Sequence, residues 1–245
     1  VFIYRRIDKN IMYSNMEYLL SEPIRRKKKI KKTKKLKRAR KAIPTLTKIT
    51  DKTILRNKVS QDTVNKIYPL LKKTVTMLDK HNIDYWATGG TLLGTIRSKG
   101  MVQWDDDIDI AINLKDVSNL EDLKTSFNDI GLRLYKASGK YFKVKYGHRK
   151  DDHLWIDIFI VDEDGYYLQG HKSHRRYLPS ELYPLKRGRF GNISIRIPNE
   201  STDYLTRIFP DWRTVAHMYN HADHKKHKIT MKLTKELKKP LLPKT

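Results

Sequence analysis

The sequence predicts an α+β fold, and three observations carry that expectation. An amphipathic helical pattern at residues 60–80 leads into a glycine pair, Gly89-Gly90, and a short helix. An acidic strand follows, in which Asp105, Asp106, Asp107 and Asp109 sit in an apolar run ending Ile108-Asp109-Ile110-Ala111-Ile112. Beyond it, a helical stretch gives way to several strand-like runs, one of which, residues 154–162, is almost wholly apolar.

Taken in order, residues 1–24 are mixed and weakly apolar, with IMYSNMEYLL suited to a short helix. From Arg25 to Lys41, 13 of 17 residues are Lys or Arg and none is acidic, so this one segment carries about half of the formal net charge of +25. Like charges at that density keep a chain extended and solvated. The segment suits a nuclear-localisation signal, a nucleic-acid-binding arm or a patch for an acidic membrane surface, with a lysine-rich linker as the plain alternative. It has no aromatic residue, which weighs against base stacking.

At residues 60–80, Val64, Ile67, Leu70, Leu71, Val75 and Leu78 recur at spacings of three and four, and Pro69 is placed to kink the helix. Tyr85–Thr88 reads as a short strand, Thr91–Ser98 as a short helix and Asp116–Ile130 as a helix with Val117, Leu120, Leu123 and Phe127 in its apolar stripe. Leu132–Lys136 and Tyr141–Tyr146 form a hairpin about a Ser138-Gly139 turn. Residues 154–162 read as a central strand, 165–169 as an edge strand, and Lys186–Phe190 and Ile193–Ile197 as a pair of short strands. A last helix begins at Asn199 or Ser201 and ends at Pro210. His217, His221, His224 and His227 would share one helical face in the basic tail. Helical histidines four apart bind zinc, but here no acidic partner lies between them and lysines surround them, so zinc is not expected.

The chain has no cysteine, which removes disulfides, thiolate nucleophiles and cysteine-bound structural zinc and fits a reducing compartment such as the cytoplasm. No apolar run approaches the roughly 20 residues needed to span a bilayer, and the first residues do not read as a signal peptide. The chain opens on Val1 rather than methionine, which leaves an upstream segment open.

Alternation along a strand places Asp107 and Asp109 on one face, about 7 Å apart, with Ile108 and Ile110 toward the core. Carboxylates so close repel and are costly unless a cation sits among them. Asp157, the one charge in an apolar strand, is expensive to bury unless it binds something, and becomes the third carboxylate. The pattern points to Mg²⁺- or Mn²⁺-dependent phosphoryl transfer, with an acidic solvated strand end as its bland rival. Asp105, Asp107, Asp109 and Asp157 are the candidate metal ligands, and Asp107, Asp109 and Asp157 the candidate catalytic residues. Gly89, Gly90 and the Thr91 backbone suit a phosphate cradle, because no Cβ blocks close approach and helix N–H groups face the ligand. Arg97 supplies a supporting cation, and Lys143 and Lys145, on one face of a neighbouring strand, are further candidates for substrate binding. Arg175, Arg176, Lys186, Arg187 and Arg189 suit a substrate channel or plain solvated surface.

The runs GGTLLGTIRSKGMVQWDDDIDIAI (89–112), WIDIFIVD (155–162) and RIPNESTDYLTRIFPDW (196–212) together resemble the LicD/fukutin-related phosphotransferases, over roughly residues 60–215. The resemblance implies a nucleotidyltransferase-like (polymerase β-like) mixed sheet flanked by helices. That divides the chain into a basic extension (1–50), a catalytic domain (51–215) and a His/Lys-rich tail (216–245). It also implies transfer of a phospho-alcohol, such as phosphocholine or ribitol phosphate, from a CDP-linked donor to a glycan or glycolipid hydroxyl, with release of CMP. Asp107 and Asp109 match the family's acidic pair, Asp157 its later strand carboxylate, and Asp105 the first aspartate of its Trp-Asp motif. The cysteine-based zinc element of fukutin-related proteins has no counterpart here. Two other functions stay open at this point: a nucleotidyltransferase acting on nucleic acid or a small molecule, with the basic segment gripping the polymer, and a non-catalytic basic binding protein on a decayed fold.

Overall fold

A computed structural model describes residues 58–147, 154–170, 175–218 and 229–244. The basic segment 25–41 and the histidines at 221, 224 and 227 lie outside the described residues, so the readings made for them stand as expectations. All described residues belong to one compact unit, Ala42–Thr245.

Helix α1 (Gln61–Lys80) begins where the Ser60 hydroxyl accepts the Thr63 N–H at 3.1 Å, with Asp62 in the first turn and Lys80 in the last to suit the helix dipole. It continues through Pro69 as one helix and buries Val64, Ile67, Leu70, Leu71 and Leu78 completely. Strand β1 (Tyr85–Ala87) follows, then helix α2 (Gly89–Leu93), which continues as a wider π turn over Gly94–Ser98. The helix therefore starts at the glycines rather than at Thr91.

Strands β2 (Ile108–Asn113), β3 (Leu132–Ser138), β4 (Tyr141–Tyr146) and β5 (Ile156–Val161) join β1 in a five-stranded mixed sheet of order β1-β2-β5-β4-β3. Only β2 and β5 run parallel; β5 is central, as its apolar sequence requires. Ile108, Ile110, Ile156, Ile158, Phe142, Val144, Leu132 and Leu134 line one face and are buried in the main core with α1. The residues between them, among them Asp109, Asp157, Phe159, Lys143 and Tyr135, stand on the other face.

Four expectations need correction. The helix over 116–130 is two short helices, α3 (Val117–Asp122) and α4 (Lys124–Asp129), broken where Leu123 tightens to bond back to Leu120; the break brings Leu120, Leu123 and Phe127 all into the core. The hairpin turns one residue later, at Gly139-Lys140, because Ser138 pairs with Tyr141 across a bulge. No strand forms at 165–169: the Asp162 carboxylate accepts the N–H groups of Asp164 and Tyr166, curling the chain so that only Tyr167 bridges Val161. His217 lies on a strand, not a helix.

That strand is β8 (Val215–Met218), paired with β9 (Ile229–Lys232). Ala216 and Met231 pack with Val102, Trp104 and Leu237 in a second small core, and Leu237 belongs to helix α7 (Lys235–Lys238). Between these lie α5 (Pro179–Leu182), the hairpin β6 (Lys186–Phe190) and β7 (Ile193–Ile197), and α6 (Ser201–Ile208). Among the described residues no helix is long and apolar enough to cross a membrane.

Candidate active site

The parallel register sets Asp109 directly beside Asp157, and Asp107 stands two residues upstream of Asp109. One oxygen from each of the three carboxylates lies within 4.8 Å of the other two. Convergence follows from the topology: β2 and β5 are neighbours, and period two sends both aspartates to the face opposite the buried isoleucines.

The glycine pair makes room for these carboxylates. A Cβ on Gly89, whose φ is +51°, would lie 2.6 Å from Asp109 Oδ2, and one on Gly90 would lie 1.9 Å from Asp105 Oδ2. At both glycines the groups that the backbone approaches in this structure are carboxylates. Thr91 ties helix to strand: its buried hydroxyl accepts the Asp109 N–H at 2.8 Å, while the Thr88 N–H donates to the Asp109 carbonyl. The Thr88 hydroxyl joins a buried cluster with the hydroxyls of Tyr167, Tyr177 and Tyr204. Burial pushes the Tyr167 and Tyr177 phenols well up, so they stay protonated donors beneath the turn.

Burial and crowding together set the electrostatics. Burial first, then the charges of Asp107, Asp105 and Asp157, raise Asp109 well above the carboxylate range; Lys143 opposes the rise. Asp105 is raised well above that range too, by burial, by Asp107 and Asp106 and by a hydrogen bond with Asp107, against the pull of Arg97. Burial lowers the Arg97 guanidinium to about 10, with Asp105 acting the other way, and its Nη1 donates to the Trp212 carbonyl at 3.3 Å. Lys143 reaches Asp157 Oδ1 at 2.9 Å, and the Trp155 indole N–H donates to Asp157 Oδ2 at 3.2 Å.

Lys145 stands one row farther out, over the Tyr135 ring. Of the basic residues noted beyond 174, Arg187 pairs with Asp79 and Arg189 donates to the Gly191 carbonyl. Lys186 faces Glu200 and Arg176 stacks on Tyr166.

Two cavities flank the acidic cluster. The larger, about 360 Å³, is bounded by Gly90, Asp105 and Arg97 on one side and by Trp104, Phe209 and Trp212 on another. The smaller, about 80 Å³, opens beside Gly89 and Asp109 against Tyr167 and Tyr204. Arg175 and Phe209 line both. Sequence reasoning missed Phe209, Trp212 and His217, which hydrogen-bonds Asp211 at 2.9 Å, because their approach to the cluster is wholly tertiary. Phe209 and Trp212 lie within the third resembling run, the one signal that could have marked them.

A divalent cation fits the donor set. Three hard carboxylate oxygens converge, and desolvation and mutual repulsion raise Asp109, a combination that a bound cation relieves.

Comparison with known proteins identifies the family. The family model for the LicD/FKTN/FKRP nucleotidyltransferase domain matches residues 82–200, which span Gly89, the aspartate run and Asp157. The uncharacterized protein RP689 of Rickettsia prowazekii (strain Madrid E) is 32% identical over 80% of this chain and 76% of its own length. Ribitol 5-phosphate transferase FKRP of Homo sapiens is 34% identical over 55% of this chain and 29% of its own. Lipopolysaccharide cholinephosphotransferase LicD of Haemophilus influenzae is 38% identical over 19% of this chain and 18% of its own. The chain thus spans less than a third of either named transferase. It belongs to the LicD/FKTN/FKRP family, whose nucleotidyltransferase-domain model matches residues 82–200.

Proposed function

We propose that the protein is a metal-dependent phosphotransferase that moves a phospho-alcohol, such as phosphocholine or ribitol phosphate, from a CDP-linked donor to a glycan or glycolipid hydroxyl. The observation that carries this reading is the convergence of Asp107, Asp109 and Asp157 beside the Gly89-Gly90 turn, with Asp109 on the 80 Å³ cavity and Gly90 and Asp105 on the wall of the aromatic-lined 360 Å³ cavity.

In this reading Asp107, Asp109 and Asp157 hold Mg²⁺ or Mn²⁺, with Asp105 behind them as a further acidic ligand or buttress. When bound, the cation neutralises charge on the donor diphosphate and on the departing phosphate. The chain's own residues do the rest by position and electrostatics. Arg97, held by the Trp212 carbonyl and facing Asp105, presents a fixed positive charge to the cavity. Trp104, Phe209 and Trp212 offer apolar walls for the donor's pyrimidine. Asp157, itself oriented by Trp155 and Lys143, accepts a hydrogen bond from the acceptor hydroxyl and aims its oxygen at phosphorus. The new bond joins that oxygen to phosphorus and the bond to the bridging oxygen breaks. CMP leaves, and the hydroxyl proton passes to solvent by way of Asp157.

Thermal shift with CDP-choline, CDP-ribitol, CDP-glycerol and nucleoside triphosphates, each with and without Mg²⁺, tests the donor class, because a ligand of the native state raises its melting temperature. Mg²⁺-dependent stabilisation by a CDP-alcohol is expected. Stabilisation by nucleoside triphosphates alone would replace this reading with nucleotidyl transfer.

A further inference from the structure

The sheet face that carries the carboxylates continues beyond them into a surface of different chemistry. Backbone register puts Asp109, Asp157, Lys143 and Tyr135 in one row across β2, β5, β4 and β3. Lys143 Nζ lies 3.9 Å from the centre of the Trp155 ring and 5.7 Å from that of Tyr141. In the adjoining row Arg133 stands directly opposite Lys145, and both reach the same ring: Arg133 Cζ is 5.9 Å and Lys145 Nζ 5.6 Å from the centre of Tyr135.

Like charges directly opposite on antiparallel strands repel. Among the described residues neither Arg133 nor Lys145 is within ion-pair distance of a carboxylate, although Lys143 beside them is paired with Asp157. Arg133 is exposed, and Tyr135 and Lys145 are half-exposed. The hairpin therefore holds two cations together over an aromatic ring, about three strand spacings of ~4.8 Å, or ~14 Å, from Asp109. A short saccharide bridges that span. Its rings offer C–H faces to Tyr and Trp and hydroxyls to Lys, the two-sided chemistry that amphipathic aromatic side chains accommodate.

Resting on the phosphotransferase reading, we propose that this face of β3 and β4 is the acceptor track. An anionic saccharide chain lies across Trp155 and Tyr135, with an acidic group between Arg133 and Lys145 and the hydroxyl to be modified at Asp157. Charge complementarity selects an anionic chain over a neutral one, and the shared register fixes its direction along the row from β3 toward β2.

The test uses the full chain at about 0.15 M salt, where distant charges such as those of the basic segment are screened beyond about 8 Å. Tetragalacturonate and maltotetraose are titrated calorimetrically into wild type, Arg133→Gln/Lys145→Gln and Tyr135→Ala. Wild type is expected to bind tetragalacturonate, the double variant at least tenfold more weakly, and maltotetraose is expected to bind weakly and alike in both. Tyr135→Ala should weaken both sugars. Absence of tetragalacturonate binding to wild type, or equal binding by the double variant, overturns the proposal. So does an oligothymidylate that displaces the sugar and loses affinity in the same variant, since the face would then hold nucleic acid. Circular-dichroism melts confirm that the variants fold. Mg²⁺-dependent stabilisation by the CDP-alcohols, measured on the same samples, tests the donor reading separately: its persistence in the double variant with unchanged sugar binding sinks only the acceptor track, and its absence in wild type sinks the reading beneath it.

Discussion

The two ends of one sheet face differ in how their charges are held. At the β2–β5 end, carboxylates are held together by tertiary structure: Gly89 fits against Asp109, Gly90 against Asp105, and β5 brings Asp157 alongside Asp109. Desolvation and repulsion are retained there as raised proton affinities. At the β3–β4 end, the like charges Arg133 and Lys145 sit on a local hairpin, accessible to water and spread over an aromatic ring. The first arrangement cannot relax without loss of tertiary structure, and the second can. Rigid, desolvated charge is suited to chemistry; accessible charge is suited to recognition.

The largest effect expected from this contrast is on transfer. Asp109→Ala removes the carboxylate that Asp157, Asp107 and Gly89 all adjoin. Activity with a CDP-alcohol is expected to fall by at least about a thousandfold, the scale on which loss of transition-state electrostatics acts. The fold should persist, because a repelling charge has gone. Arg133→Gln, at the other end, should leave turnover at saturating acceptor within about twofold. Full activity in Asp109→Ala, measured by CMP release, would remove the carboxylates from the mechanism.

Next in size is a pair of glycine substitutions. Gly90→Ala drives a Cβ to within 1.9 Å of Asp105, so that carboxylate, and with it Arg97, must shift. A fall of about tenfold or more in CMP release is expected, since displacements of this kind at a reacting centre are costly. Gly139→Ala, in the hairpin turn, meets nothing within 4 Å and should change neither activity nor melting temperature appreciably. Equal effects from the two would mean that the acidic end is as adaptable as the hairpin.

How far the molecule was legible in its sequence follows the same division. Period two located β2 and the burial of Ile108 and Ile110, because a strand with one polar face has a single satisfactory orientation, and the nearly continuous apolar run at 154–162 located β5. Asp157 could be singled out because one charge in an apolar run is conspicuous, and the short strands at 186–190 and 193–197 form where they were expected. The break at Leu123 was not legible, because it depends on the cavity that Leu120 and Phe127 fill from separate helices. Neither was the aromatic wall of Phe209 and Trp212, which reaches the carboxylates through space alone. His217 misled because spacing suggested a helix where pairing with Thr230 in β9 makes a strand.

A smaller effect concerns pH. Asp109 is raised above 3.8 by burial, Asp107, Asp105 and Asp157, with Lys143 opposing, so the folded chain keeps a proton that the unfolded chain has released. The unfolded state then binds fewer protons, and stability from this group declines as pH rises from about 3.8 through the raised native value. Without divalent cations, Asp109→Asn should therefore melt progressively higher than wild type by a few degrees as pH increases toward neutrality. Millimolar Mg²⁺ should close or reverse the gap, since only wild type retains the full ligand set. A gap independent of pH would show that Asp109 is ionised normally and that the acidic end is not strained.

The smallest effect belongs to the cationic end. Arg133→Gln removes one of two opposed like charges but leaves Lys145 on the Tyr135 ring, so the ring keeps a cation while the repulsion ends. A gain of a few tenths of a kcal/mol is expected, comparable to other cross-strand pairs. It should be visible as a higher urea midpoint at low salt and should vanish near 0.5 M salt, where the Debye length falls to roughly 4 Å. A loss of about 1 kcal/mol, independent of salt, would mean instead that Arg133 is part of the hairpin's packing through its stem and its contact with Tyr135. In that case both ends of the face would be rigid, and the cations would belong to the fold before any acceptor met them.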